Sequence, residues 1–221
     1  MNLRTFNRPR LRSPAALRRA FTLIELLVVV TIIILVSAVI LANDNKFGGQ
    51  ALLQNLAYDI ALSVREAQVY GISVARVGST SNFSAGYGMH FSMGNPTTYD
   101  LFADTKNAAS QPVPDGIYEI GEDVSPSPYS IGRGFYIIKL CVTPSSGVED
   151  CTPTKLDILF IRPEPDAYIS KNGAALTFDG NGNVVGGSPY VDARIVLTSP
   201  RGDYMSVLVS SNGQISVDNQ N

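Results

Sequence analysis

Glu25 is the one charged residue in the run Phe21–Ala42, which is otherwise uncharged and almost wholly apolar. A carboxylate near the centre of a membrane helix costs about 2.5–3.5 kcal/mol and usually marks a function. Glu25 lies about one turn into the run, so its cost is smaller, but a carboxylate removed from water still needs a cation. No Lys or Arg follows it until Lys46. Its partner therefore lies upstream or on another molecule.

The other residues with chemical potential are few. Cys141 and Cys151 are the only cysteines, with nine residues between them that include Thr143-Pro144-Ser145-Ser146-Gly147. They read either as a disulfide across a small loop, contributing at most about 3 kcal/mol in the chain-entropy model, or as two buried thiols. Two cysteines and one histidine, His90, are too few for a zinc site. His90 alternates with Met89 and Phe91, which predicts a surface position on a strand. Asp179-Gly180-Asn181-Gly182-Asn183 has oxygens at alternate positions, as calcium loops do. An EF-hand would require Gly at 184 and Glu at 190, where Val184 and Tyr190 stand. A Gly/Asn hairpin turn is the expected reading, with calcium as the alternative. Pro200-Arg201-Gly202-Asp203 contains an integrin-type tripeptide but reads as an ordinary turn. Asn82-Phe83-Ser84 fits a glycosylation acceptor, a weak pattern. Glu164 and Asp166, among prolines, read as loop residues. There is no nucleophile motif, no paired histidines and no phosphate-cradling glycine loop, so no enzyme and no cofactor are expected.

The elements that must position these residues follow from composition and period. The chain has 221 residues, enough for one domain and an appended segment. Its net charge of −2 hides an asymmetry. Residues 1–20 carry six arginines (Arg4, Arg8, Arg10, Arg12, Arg18 and Arg19) and no acid, leaving 11 basic against 19 acidic side chains in 21–221. A basic head before an apolar run keeps the N-terminus in the cytoplasm. That topology puts the cysteines where disulfides persist, which favours the bridge. The run Phe21–Ala42 would span about 33 Å as a helix, enough for a hydrocarbon core of about 30 Å. It is too long for a secretory signal, although Val36-Ser37-Ala38 could be cut. A plain single-pass anchor would explain the length and the arginines but not Glu25.

Asn43–Gly49 breaks the apolar pattern and predicts a kink or flexible joint, with no proline between Phe21 and Asn95 to end the helix. In residues 50–70, Leu53, Leu56, Ala57, Ile60, Val64 and Ala67 form one face, which predicts a helix packed on a sheet, with Gln54, Asp59, Arg65 and Glu66 mostly elsewhere. Beyond Gly71 short strands are expected at Gly86–Ser92, Tyr99–Ala103, Gly116–Ile120, Phe135–Val142, Leu156–Ile161, Val191–Thr198, Met205–Ser210 and Gln214–Val217. Tight turns are expected at Asn172-Gly173 and Asn212-Gly213, and a surface loop at Ala103–Pro114. The fold class is therefore α+β.

Arg18-Arg19-Ala20 followed by Phe21-Thr22-Leu23-Ile24-Glu25-Leu26-Leu27 closely resembles the processing site of type IV prepilins and type II secretion pseudopilins. The resemblance implies that a prepilin peptidase cuts between Ala20 and Phe21, removing residues 1–20, and that Phe21 is N-methylated. The residue before the cut is usually Gly in that family; Ala20 keeps the small size. Glu25 would then be the assembly residue, neutralising the new ammonium of an adjacent protomer. The implied fold is a long N-terminal helix, with 21–42 in the membrane or filament core and 43–71 a kink and an amphipathic half, packed on a β-rich domain over 72–221. Ser63-Val64-Arg65-Glu66-Ala67-Gln68 and the last strands resemble the GspH/FimT-like minor pseudopilins. The implied partners are the peptidase, other subunits, an inner-membrane assembly platform and, before assembly, lipid. The implied location is the bacterial inner membrane, with the globular part periplasmic or extracellular. The alternative is an anchored or tip-located adhesin or DNA-binding module. Arg133, Lys139, Lys171, Arg194 and Arg201 are its candidate nucleic-acid contacts, although the acidic balance of 21–221 argues against general binding.

Overall fold

The computed structural model describes residues 21–73, 85–107, 109, 113–124, 126–179 and 184–219, side chains at 42–48 excepted. Ala20, the acceptor sequence Asn82-Phe83-Ser84 and Gly180–Asn183 lie outside the described residues. Two compact units divide the chain, Met1–Asn45 and Lys46–Asn221.

One helix, α1 (Leu23–Ile72), runs through both. The break in apolar pattern at Asn43–Gly49 does not end it. Two glycines cost a helix only about 1 kcal/mol each against alanine, and no proline removes a hydrogen bond. In the first unit, Leu23–Leu41 is a 19-residue stretch of mean hydropathy 3.1, exposed throughout and long and apolar enough to cross a membrane.

In the second unit α1 is followed by nine strands among the described residues: β1 (Gly86–Ser92), β2 (Thr98–Asp104), β3 (Tyr129–Ser130), β4 (Tyr136–Pro144), β5 (Lys155–Phe160), β6 (Ala167–Lys171), β7 (Tyr190–Thr198), β8 (Tyr204–Ser210) and β9 (Ile215–Asp218). They form two antiparallel sheets, ordered β3-β2-β1-β5-β6 and β4-β7-β8-β9. The fold is α+β, as expected. Leu53, Ala57, Ile60, Val64 and Ala67 enter one core with Met89, Phe91, Leu101, Leu156 and Ile158 of the first sheet and Ile137, Leu140, Ile195 and Val207 of the second. Period-2 alternation sends every other residue of these strands inward.

The first sheet is covered on its other face as well. Phe102, Leu159 and Ile161 are buried there under Tyr118, Tyr168, Leu176 and Phe178. This second cover changes two expectations. His90, expected at the surface, is buried. Gly116–Ile120, expected as a strand, is a bend. Gly116 has φ 80°. The N–H groups of Asp115 and Gly116 donate to the Asp104 carboxylate at 3.1 and 2.8 Å rather than to a neighbouring strand. The expected loop Ala103–Pro114 begins inside β2, because Ala103 and Asp104 pair with Tyr87 and Gly86. Two strands, β3 and β6, were not expected. The turn residues behave as expected: Asn172 and Gly173 both have positive φ, 54° and 72°, and Gly213 N–H donates to Ser210 O at 2.8 Å between β8 and β9.

Candidate functional site

Thr22 caps the start of α1. Its Oγ1 accepts the N–H of Glu25 at 3.3 Å, and its carbonyl accepts the N–H of Leu26 at 3.2 Å. Thr22-Leu23-Ile24-Glu25 thus has the spacing of a capping box, in which the third residue after the cap is Glu or Gln. Sequence reasoning missed this, although Thr-x-x-Glu before an apolar run is a readable signal. Glu25 sits in the first turn, where a negative charge also meets the positive end of the helix dipole. Phe21 and the apolar side chains around it (Leu23, Ile24, Leu26, Leu27) are exposed.

The polar residues of Ser63–Gln68 act as a latch between α1 and the sheets. Ser63 Oγ lies 3.2 Å from Tyr99 Oη. The two carboxylate oxygens of Glu66 accept from Tyr70 Oη and Tyr129 Oη, each at 3.0 Å. Gln68 is buried, and its Nε2 donates to Pro165 O at 2.8 Å and to Gly213 O at 3.0 Å, while its Oε1 accepts from Arg65 Nη1. Phe91, Tyr99 and Tyr129 stack in a row, with ring centroids 5.6 and 5.1 Å apart. Burial, and then the Glu66 carboxylate that accepts its hydroxyl, hold the Tyr129 phenol above its ordinary value.

His90 Nδ1 and Asp157 Oδ1 are 2.6 Å apart, both buried. The ring stacks on Tyr118 at 4.6 Å. Burial pushes the Asp157 carboxyl up, opposed by its bond to His90. The visible work of the pair is to satisfy two polar groups at a covered sheet face.

Next to this face lies an acidic fold-back. Glu122 accepts the N–H groups of Thr105, Lys106 and Glu119 at 2.7, 2.8 and 3.1 Å. Burial pushes the Asp104 carboxyl up to about 8, against its two backbone bonds and helped by the Glu122 and Asp115 charges. Glu119 is likewise raised to about 8, chiefly by burial and then by Glu122. Among the described residues neither Glu119 oxygen has a hydrogen-bond partner.

Cys141 and Cys151 are joined by a disulfide. Their proximity to Glu149 does not make a metal set, since bonded sulfurs offer no thiolate. The loop they close is pinned twice more: Lys171 Nζ to Asp150 at 2.7 Å and Arg194 Nε to Glu149 at 2.7 Å. The Lys171 bond, with two from Thr152, holds the Asp150 carboxyl down at about 2.

Of the five basic residues proposed for nucleic acid, two share a cavity. Lys139 and Arg194 line one cavity of about 290 Å³ with Glu149 and Tyr204. Arg133 lines another, of about 340 Å³, with Leu52, Leu56, Asp59 and Phe135. Lys171 and Arg194 are already ion-paired. Arg201 stands in the turn between β7 and β8, where Asp203 Oδ2 is 3.0 Å from Ser199 Oγ, the ordinary turn expected of that tripeptide. Phe178 and Val184 form an isolated bridge, and Val185 N–H donates to Thr177 O at 2.7 Å. Against protein-family models, curated proteins and solved structures, the chain has no match.

Proposed function

We propose that this chain is a structural subunit, a minor pilin or pseudopilin, of a type IV pilus-like or type II secretion filament. It is made with a basic leader, cut between Ala20 and Phe21, and drawn from a membrane into the filament by lateral packing of the apolar half of α1. The observation that carries this reading is the stretch Leu23–Leu41, fully exposed, with Glu25 as its single charge one turn from the start. Such a surface must be covered by lipid or by other helices. A carboxylate at that depth is explained by a cation supplied from outside the chain's own helix, and the ammonium at Phe21 of a neighbouring protomer is such a cation. The latch at Ser63–Gln68 supports the reading differently: it fixes α1 to the sheets, so that a pull on the helix moves the folded unit with it.

The test is intact mass and N-terminal sequencing of the membrane-extracted protein, expressed with and without a prepilin peptidase. A peptidase-dependent start at Phe21, with or without one added methyl group, is the expected result. A start at Met1 under both conditions leaves a simple anchor. A start near Val39 means an ordinary signal peptide, and either of these outcomes overturns the reading.

A further inference from the structure

β4, an edge strand of the second sheet, carries one residue more than β7 can pair. Ile137 pairs with Leu197 and Lys139 with Val196, so Ile138 is left over as a bulge. In a regular strand neighbouring side chains point to opposite faces. Here Ile137 and Leu140 are buried in the core, and both residues between them line one cavity on the outer face. A bulge on an edge strand re-aims a side chain, and such bulges recur beside active sites.

The facing wall is fastened as well. The Cys141–Cys151 disulfide holds it, together with the backbones of Val142 and Asp150, which bond at 2.8 Å in both directions. These ties set Glu149 against Arg194, at 2.7 Å. The space left is about 290 Å³, with the buried Val196, the disulfide and Tyr204 of β8 among its walls. That is the small end of the range for ligand sites.

The charges in this lining do not cancel. Lys139 and Arg194 meet one acid, Glu149, which leaves one positive charge over. Glu149 is engaged by Arg194 Nε. Arg194 Nη1 is turned to Ser206 Oγ at 3.4 Å, with Asp218 at 3.7 Å standing mostly in solvent. Lys139 makes no ion pair among the described residues. One uncancelled cation matches a monoanion. The guanidinium has committed most of the fork with which it would grip a phosphate. An ammonium and a phenol hydroxyl can share one carboxylate between them. Ile138 and Val196 offer apolar surface to whatever carries that carboxylate.

We propose that this cavity binds a carboxylate borne on a short apolar stem. Lys139 Nζ and the Tyr204 hydroxyl take the carboxylate, and the stem lies against Ile138 and Val196. Free carboxylic acids and the C-terminal residue of a peptide share that chemistry. The site is built wholly within the second unit and does not rest on the filament reading.

The experiment uses the full-length chain in a deuterated non-ionic detergent, titrated with isocaproate and followed by saturation-transfer NMR. The expected result is saturable binding with a dissociation constant of about 1–10 mM, the range for a ligand of this size. Isocaproamide keeps the stem without the charge, and acetate keeps the charge without the stem; each should bind at least about tenfold more weakly. Lys139→Gln should weaken isocaproate by about tenfold, as loss of a charge-assisted bond does, and Lys139→Arg should restore most of it. Lys139 is exposed, so unchanged far-ultraviolet circular dichroism is expected of both variants. Lys155→Gln, at another exposed lysine, should leave binding as it was. N-acetyl-Ala-Ala-Leu separates the two sources: tighter binding than isocaproate identifies a peptide C-terminus, and weaker binding identifies a free acid. The absence of saturable isocaproate binding overturns the proposal. So does equal binding of acid and amide, an unchanged affinity in Lys139→Gln, or displacement of isocaproate by an equal concentration of inorganic phosphate, which would mean that the site reads charge alone.

Discussion

Gln68 is the residue through which α1 holds both sheets, and its removal has a cost that can be worked out. Its amide donates to Pro165 O, in the β5–β6 loop, and to Gly213 O, in the β8–β9 turn. Gln68→Met preserves length and volume and removes both donors. The Gly213 carbonyl is buried and keeps no replacement partner, a loss of about 1–3 kcal/mol. The Pro165 carbonyl belongs to an exposed residue and can turn to water, so its share is about 0.5–1 kcal/mol. The total expected is about 1.5–4 kcal/mol. Urea unfolding of the compact unit Lys46–Asn221, followed by far-ultraviolet circular dichroism, measures it. With a slope of about 2 kcal/mol per molar urea, the midpoint should fall by about 0.8–2 M without a change in slope. Gln68→Glu should be worse at neutral pH, since its carboxylate would face two carbonyl oxygens, and should recover partly on protonation. A loss under about 0.5 kcal/mol for Gln68→Met, the size of an ordinary surface change, would refute the latch.

Three further outcomes follow from the same unit. Asp104 has a folded value of about 8 against an ordinary carboxylate value of about 4, so the folded state holds a proton that the unfolded chain has lost. Its contribution is greatest below about pH 4, declines as pH rises towards 8 and is then gone; Asp104→Asn should flatten that decline in urea midpoints measured from pH 4 to 9. Gly71→Ala would place a Cβ 2.4 Å from the carbonyl oxygen of Phe160 and should cost about 1–3 kcal/mol. Gly49→Ala, with nothing within 4 Å of the added carbon, should stabilise the helix by about 0.5–1 kcal/mol.

The inner face of α1 and most strands were legible because each writes its own period into the chain. Leu53, Ala57, Ile60, Val64 and Ala67 can be read as a face without knowing what covers it. What escaped depends on contacts made far along the sequence. His90 alternates with apolar residues like a surface residue, and only the arrival of Tyr118 and Asp157 turns its side of β1 into an interior. Gly116–Ile120 has strand-like residues, but the N–H of Gly116 is captured by Asp104 Oδ2 and that of Ile117 by Asp115 Oδ1. β3 is two residues long and exists because Thr98 and Tyr99 offer it a free edge. β6 alternates acceptably, yet stands directly behind Arg162-Pro163-Glu164-Pro165-Asp166, whose prolines dominate the local signal. An exposed apolar stripe of α1 was hidden by the inner one. Once Asp59, Arg65 and Glu66 are taken as a polar side, the exposed Tyr58, Leu62, Val69 and Ile72 around them are easy to pass over.

The Thr22 cap sharpens the question of what Glu25 does. A capping box accounts for a polar residue three places after Thr22, but not for a charged one, because Gln serves that position as well as Glu. The dipole at the helix start accounts for a negative charge worth about 0.3–1 kcal/mol, less than the cost of keeping a carboxylate in hydrocarbon. Neither local role therefore requires glutamate, and a cation from a neighbour does. Two substitutions separate the roles. Glu25→Gln keeps the cap and removes the charge; Thr22→Val removes the cap's oxygen and keeps the charge. If Glu25 serves assembly, membrane insertion of both variants should be normal, filament incorporation of Glu25→Gln should fall at least about tenfold for a lost ion pair, and Thr22→Val should assemble nearly as the parent does. Glu25→Asp should fall between, its carboxylate being one methylene short of the partner. Equal incorporation of Glu25→Gln and the parent, with Thr22→Val impaired, would make Glu25 a helix cap and nothing more.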